Sequence, residues 1–211
     1  MTVENSDSNG SSRLTVEQTV GLEANNQGCS YYVNNGINQD YDKAASYFRI
    51  STAYGNSAGQ YNLGLLYQAG KGVIKDSLEA FKWIKLSADQ GNSDAQFSVA
   101  NMYRYGSGVE HNINECLRYY KLAAEQGNTS AQFSLGLMYD CGLGVKRDYN
   151  ESAIWWQKAA EQGDSNAQYC LGRMYRYGHG VKQDAKEALK WFKLAAEQGD
   201  TTAQSYLTRM H

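Results

Sequence analysis

Residues 164–199 read DSNAQYCLGRMYRYGHGVKQDAKEALKWFKLAAEQG, and residues 128–163 read NTSAQFSLGLMYDCGLGVKRDYNESAIWWQKAAEQG. The two align over 36 positions without a gap, and residues 56–91 and 92–127 fall into the same frame. Gly55, Gly91, Gly127, Gly163 and Gly199 mark the unit ends. Residues 20–55 keep the register in a worn form through Ala24, Gly28, Tyr31, Gly36, Ile37, Asp40, Ala44 and Tyr47. Residues 200–211 hold the first third of a unit, and residues 1–19 are predicted to be a disordered lead that runs into an N-terminal cap. A fixed period of this length marks a stack of short supersecondary units with atypical ends.

Each unit reads as two helices. In the last full unit Ala167, Leu171, Met174 and Tyr175 are spaced i, i+4, i+7, i+8, and Ala188, Trp191, Phe192 and Ala195 are spaced i, i+3, i+4, i+7. Both are one-sided helical stripes. The first helix is expected to open on a Ser/Thr-x-x-Gln capping box, such as Ser93 with Gln96, and the second on an Asx-x-x-Glu box, such as Asp184 with Glu187. Between them lies Gly-x-Gly-Val, whose first glycine suits a left-handed helix end. The x position holds Lys71, Ser107, Leu143 and His179, which reads as a tolerant exposed loop site. A glycine recurs inside the first helix at 64, 136 and 172, with Ala100 as the fourth. It costs ~1 kcal/mol in a helix interior, so a neighbouring helix is expected to pass too close for a larger side chain. Two short helices cannot bury such stripes alone, and stacked pairs can. The expected fold is an all-α, right-handed α/α solenoid.

Composition narrows the function. The 211 residues carry 20 Lys+Arg against 22 Asp+Glu. This balance argues against a nucleic-acid binder, which needs a basic stripe to replace phosphate counterions. No run approaches the ~18 apolar residues of a membrane helix. The start, MTVENSDSNGSS, has no apolar core and does not read as a signal peptide. A cytoplasmic protein is expected, with a fragment of a secreted or endoplasmic-reticulum protein as the alternative. Cys29, Cys116, Cys141 and Cys170 form no CxxC pair and are expected to be small buried thiols. His111, His179 and His211 sit in loops or at the terminus, and no HExxH motif or Ser/His/Asp set is legible. No catalytic residue, metal or cofactor is assigned.

The pattern A-Q-x-x-L-G-x-M-Y-x-x-G-x-G-V-x-x-D, carried by Ala167, Gln168, Leu171, Gly172, Met174, Tyr175, Gly178, Gly180, Val181 and Asp184 and followed by Trp191, resembles the Sel-one-like repeat family. That family is a subclass of the tetratricopeptide-like α/α repeats, and the resemblance covers residues 20–211. It implies scaffolding, with partner proteins or peptides held in an assembly. A secreted, cysteine-rich bacterial branch of the family is linked to β-lactam binding and hydrolysis. At the two places where that branch puts its cysteines, this chain has Ala124, Ala160 and Ala196, and Ala131, Ala167 and Ala203.

In α/α solenoids the first helices line the concave surface. The first-helix positions opposite the core stripe therefore form the expected binding row: Tyr61, Leu65, Gln68; Phe97, Asn101, Arg104; Phe133, Leu137, Asp140; Tyr169, Arg173, Arg176. Aromatic and Arg side chains are enriched at interface hot spots. The expected function is a non-catalytic adaptor that grips a protein or extended peptide along this face. The alternatives are a β-lactam hydrolase and a spacer within a larger protein. Self-association, if any, is expected to be weak and to run through the terminal helices, where Tyr206, Leu207 and Met210 are apolar.

Overall fold

The computed structural model describes residues 14–33 and 39–209. Gly36, Ile37, Met210 and His211 lie outside the described residues. Eleven α-helices and no strand occur among the described residues. The first helices of successive pairs are α1 (Val16–Val33), α3 (Ser57–Ala69), α5 (Ser93–Tyr105), α7 (Thr129–Cys141), α9 (Ser165–Tyr177) and α11 (Thr201–Arg209). The second helices are α2 (Tyr41–Ala53), α4 (Ser77–Asp89), α6 (Ile113–Glu125), α8 (Tyr149–Glu161) and α10 (Ala185–Glu197). Each second helix packs on its own first helix and on the first helix that follows. The result is the all-α solenoid expected from the period.

The stripes read from the sequence form the core. Ala167, Leu171, Met174, Ala188, Trp191, Phe192 and Ala195 are all buried. Trp83, in the register of Trp155 and Trp191, is only half-buried. The alanine pairs Ala124 with Ala131 and Ala160 with Ala167 are buried in the hydrophobic core. The interior glycine has the steric cause expected of it, and the close neighbour is the second helix of the same unit. A Cβ on Gly136 would overlap the Trp156 indole, and one on Gly172 would come within 2.8 Å of the Phe192 ring. Ile84, Tyr120, Trp156 and Phe192 occupy one register position. Where the side chain is Tyr120, the facing residue is Ala100. Phe48 presses on Gly28 in the same way, so the worn first unit keeps the device.

The helix ends depart from expectation in two respects. The first helices are capped one residue earlier than the Ser/Thr reading had it. Asn56, Asn92, Asn128 and Asp164 are extended, and their side chains accept from the backbone N–H three residues on. An Asx oxygen reaches that donor from the N-cap site, and the hydroxyl residue becomes the first helical residue. On the second helices Asp76, Asn112, Asp148 and Asp184 do cap, each accepting two backbone N–H bonds. Their glutamates, however, do not reach back. The caps' own N–H groups donate to the carbonyls of Tyr67, Tyr103, Tyr139 and Tyr175. Glu79, Glu115 and Glu187 pair instead with Lys82, Arg118 and Lys190. A reciprocal capping box does form at the entry to α1, where Thr15 and Gln18 exchange bonds of 2.9 and 3.1 Å.

The glutamine three residues past each first-helix hydroxyl has a different task. Gln96, Gln132 and Gln168 are about 5% exposed or less and donate Nε2 to the carbonyls of Ala88, Ala124 and Ala160 at 3.1–3.2 Å. Their Oε1 atoms accept from Gln126, Gln162 and Gln198 at 2.6–2.8 Å. Gln60 accepts from Gln90 in the same way. From Gln96 onward, one glutamine pair per unit thus ties the start of the first helix to the ends of two second helices. This polar spine runs the length of the stack.

The Gly-x-Gly loop also spans a joint. First helices end at left-handed Gly70, Gly106, Gly142 and Gly178, as expected. The second glycine lies on the opening of the preceding second helix, where a Cβ on Gly72 or Gly180 would overlap the carbonyl of Tyr41 or Tyr149. The x residue matches that opening residue in kind. Lys71 stands 4.9 Å over the Tyr41 ring, and His179 stacks on Tyr149 at 5.0 Å. Ser77 and Ile113 hold the corresponding places across from Ser107 and Leu143. The loop position read as tolerant therefore follows its partner across the joint.

Candidate functional site

The first helices bridge one another directly through side chains. Asn62 donates to Asn25 at 2.9 Å, and the hydroxyls of Tyr61 and Ser98 lie 3.2 Å apart. The twelve residues of the expected row fall on these helices in two layers. The inner layer is aromatic. Tyr61 and Phe97 are half-buried against the core, Phe133 stacks on Trp156, and Tyr169 lies 5.8 Å from Phe192 and 6.1 Å from Tyr206. Burial pushes the phenols of Tyr61 and Tyr169 above their ordinary value. These rings contribute a floor held by inter-repeat packing.

The outer layer is Leu65, Gln68, Asn101, Arg104, Leu137, Asp140, Arg173 and Arg176. Leu65 and Leu137 are partly buried, and Gln68 and Arg173 are exposed. Asn101 accepts a 2.6 Å bond from Tyr120. Arg104 is half-buried 5.4 Å from the Tyr105 ring. Burial opposes its charge, but a hydrogen bond to the Tyr120 phenol and the neighbouring Tyr105 outweigh this, and its pKa is raised. Arg176 lies between Tyr177 and Tyr206, 5.7 and 5.0 Å from their ring centres. Among the described residues, neither Arg104, Arg173 nor Arg176 forms an ion pair with a carboxylate. Asp140 occupies, on α7, the register position of Arg104 and Arg176.

The row reading missed Tyr105 and Tyr177. They are 70% and 49% exposed at the ends of α5 and α9, next to Arg104 and Arg176. The signal that exposes them is the pentapeptide MYRYG, present at 102–106 and again at 174–178. The hydrogen bond with Tyr206, with help from Arg176, lowers the Tyr177 phenol.

The thiols divide by burial. Cys116 is buried, and desolvation pushes it up to about 11. Cys170 is half-buried and is pushed up to about 12 for the same reason. Cys141, expected among the buried thiols, is exposed at the end of α7, because a helix's last residue on this face points off the stack. Among the described residues no three His, Cys, Asp or Glu side chains converge as a metal site would require. No described helix is long and apolar enough to cross a membrane.

Known proteins place this architecture. The Sel1 repeat family model matches residues 28–53, 57–92, 93–128, 129–164 and 165–200. A protective antigen of uropathogenic Escherichia coli with an SLR fold is 38% identical with a TM-score of 0.84, over 89% of this chain. This chain spans 40% of that protein's length. A Sel1 repeat protein from Oxalobacter formigenes is 34% identical with a TM-score of 0.81, over 87% of this chain and 75% of the other. Cysteine rich protein B of Helicobacter pylori shares the fold at 23% identity and a TM-score of 0.50, over 63% of this chain and 95% of the other. No curated protein matches the sequence. With five matched repeats, a shared solenoid and more than a third of positions identical to a solved repeat protein, the chain belongs to the Sel1 repeat family.

Proposed function

We propose that this chain is a non-catalytic adaptor that holds a protein or an extended peptide along the face built by α3, α5, α7 and α9. Sel1 repeats generally mediate protein–protein interaction, and the proposal assigns that role to one surface. The observation that carries it is the distribution of difference between repeats within this one chain. Caps, glutamine pairs, interior glycines and core stripes repeat from unit to unit because each ends a helix or closes packing within the stack. On the first helices, positions 65, 101, 137 and 173 (Leu, Asn, Leu, Arg) and 68, 104, 140 and 176 (Gln, Arg, Asp, Arg) change in charge and polarity from unit to unit. They lie side by side on successive first helices. A solenoid needs no such difference to stack, but a surface that recognises a particular partner does. Protein-binding interfaces enrich Arg and aromatic side chains, and this face supplies Arg104, Arg173 and Arg176 over an aromatic floor.

The test is site-directed photocrosslinking in cells. A benzophenone amino acid is placed at the exposed first-helix positions Gln68 and Arg173, and at the exposed second-helix positions Lys82 and Lys193. A partner band from the first pair and none from the second is the expected result. Crosslinks confined to Lys82 and Lys193 would overturn the assignment.

A further inference from the structure

We infer that the partner is an acidic, extended polypeptide segment carrying two Asp or Glu clusters about six residues apart with a non-acidic centre. The inference rests on the adaptor reading above and adds the partner's chemistry. Its basis is the repeated MYRYG at 102–106 and 174–178. Each copy ends a first helix and presents an arginine beside an exposed tyrosine, Arg104 with Tyr105 and Arg176 with Tyr177. Among the described residues neither guanidinium has a carboxylate partner. Each is flanked by aromatic surface that limits its motion, so a bidentate bond to a carboxylate orders little that is not already ordered.

Between the two clips, α7 carries Asp140 and Cys141 at the same register positions. Leu137 lies one turn before Asp140. The face therefore reads positive, negative, positive over three consecutive first helices. A uniformly acidic ligand meets repulsion at the centre, and a uniformly basic one meets it at both ends. The complementary chain is acidic, then neutral or basic, then acidic. Helix packing sets the spacing. Successive first helices meet through side chains, as Tyr61 and Ser98 do at 3.2 Å, so the upper end of helix-packing distances, about 10 Å, applies, and the two clips are taken to stand about 20 Å apart. An extended chain advances roughly 3.3 Å per residue, so it covers that span in about six residues.

Fluorescein-labelled peptides of identical composition test the inference by anisotropy with the full chain. One isomer carries Glu pairs about six residues apart and a further Glu at its far end, a second carries the paired acids contiguously with the same far-end Glu, and a third keeps the spaced pairs and moves the far-end Glu to the centre between them. The spaced isomer is expected to bind about fivefold tighter than either other isomer at low ionic strength. Arg104→Gln and Arg176→Gln, which keep most of the side-chain stem, are each expected to abolish that preference. Asp140→Asn is expected to bring the centrally acidic isomer up to the spaced one, and since it acts by gain it cannot be mistaken for unfolding. Equal binding of the spaced and contiguous isomers, or preference retained in both arginine variants, would overturn the inference. If crosslinks form from Gln68 and Arg173 while the isomers bind alike, the acidic pattern fails and the adaptor face stands. If crosslinks form only from the second helices, both fail.

Discussion

Gln162→Ala is a substitution at an exposed residue, and such changes usually stay within about 0.5 kcal/mol. Here the expected cost is about 1–2 kcal/mol. Gln162 Nε2 donates to Gln132 Oε1 at 2.7 Å, and Gln132 is 4% exposed. The amide of Gln132 cannot turn to find another donor, because its Nε2 is engaged by the Ala124 carbonyl at 3.1 Å, and a carbonyl only accepts. Removing Gln162 leaves a buried acceptor unmade, at a cost of about 1–3 kcal/mol. Thr129, which donates to Gln162 Oε1 at 3.0 Å, sits at the surface and rehydrates, so the lower part of that range applies. Gln132→Met removes the buried amide itself. The Ala124 carbonyl keeps the Gly127 N–H at 3.0 Å, and Gln162 regains water, so this costs about 1–2 kcal/mol for the two lost bonds. The double variant has no orphaned acceptor. Its cost is expected to fall short of the sum by about 1 kcal/mol. Urea midpoints followed by circular dichroism, compared at equal slope, measure all four corners of the cycle. An additive cycle, or Gln162→Ala within ordinary surface scatter, would refute the spine as a contributor to stability.

Four further outcomes follow from the caps, the packing and the thiols. Asn92→Ala is expected to lower stability by about 1 kcal/mol and Ser93→Ala by less than half of that, since Asn92 accepts from Ala95 N–H; equal losses in thermal melts would restore the hydroxyl cap. Gly136→Ala is expected to destabilise by about 1–3 kcal/mol despite its better helix propensity, because the Trp156 indole is anchored by its 3.1 Å bond to the Phe133 carbonyl. Adding Trp156→Tyr recreates the Ala100–Tyr120 pairing and should recover most of that loss, and a double variant no better than the single one contradicts the register argument. With Ellman's reagent near neutral pH, Cys141 is expected to react first and Cys116 and Cys170 slowly, an order that fails if Cys141→Ser leaves the fast phase intact. Folding raises the pKa values of Cys116 and Cys170 from 9.0 to about 11 and about 12. Their contribution is therefore complete below pH 9 and is lost as pH climbs through those values. The alkaline fall in urea midpoint should be shallower in Cys170→Ala than in the parent.

What the sequence made legible and what it hid have one physical origin. Helix type, helix count and stacking follow from residues whose task is complete within one unit, such as the stripe Ala188, Trp191, Phe192, Ala195. Gly70 and Gly178 declare themselves because few other residues take a left-handed end cheaply. Several of the missed features span a joint. Gln96 stands three residues after Ser93, as a capping glutamine would, yet its partners are Ala88 and Gln126 in the second helices on either side. Its other signal is present in the sequence as Gln60, Gln96, Gln132 and Gln168 in one register and Gln90, Gln126, Gln162 and Gln198 in another. Pairing the two registers requires knowing that they meet in space. The match of Lys71 to Tyr41 and of His179 to Tyr149 is hidden for the same reason. On the candidate face, the row of twelve lies along the first helices, but the sequence does not separate rings that floor the face, such as Phe133, from side chains that stand free on it, such as Arg173. That division depends on where Trp156 and Tyr206 come to lie.

The joints also explain why the free face is available at all. The second-helix cap N–H groups bond to the first helix of their own unit, and the buried glutamines reach the second helices of their own and the preceding unit, so the repeats close their polar bonding within the stack. The second helices spend much of their exposed charge locally, as in Glu115 with Arg118 and Lys85 with Asp89, the latter at 2.6 Å. Such exposed pairs add little stability, and other charges on those helices, Glu151 and Lys193 among them, form no ion pair among the described residues. The first-helix face is different in kind. Arg104, Arg173 and Arg176 have no carboxylate partner among the described residues, and Asp140 stands between two of them. A guanidinium held against tyrosine rings gives up little further freedom when it binds, whereas a free lysine on a flexible stem gives up more. On the proposed adaptor face, the charge a partner would meet is that of Arg104 and Arg176, each beside a tyrosine ring, with Asp140 between them in register.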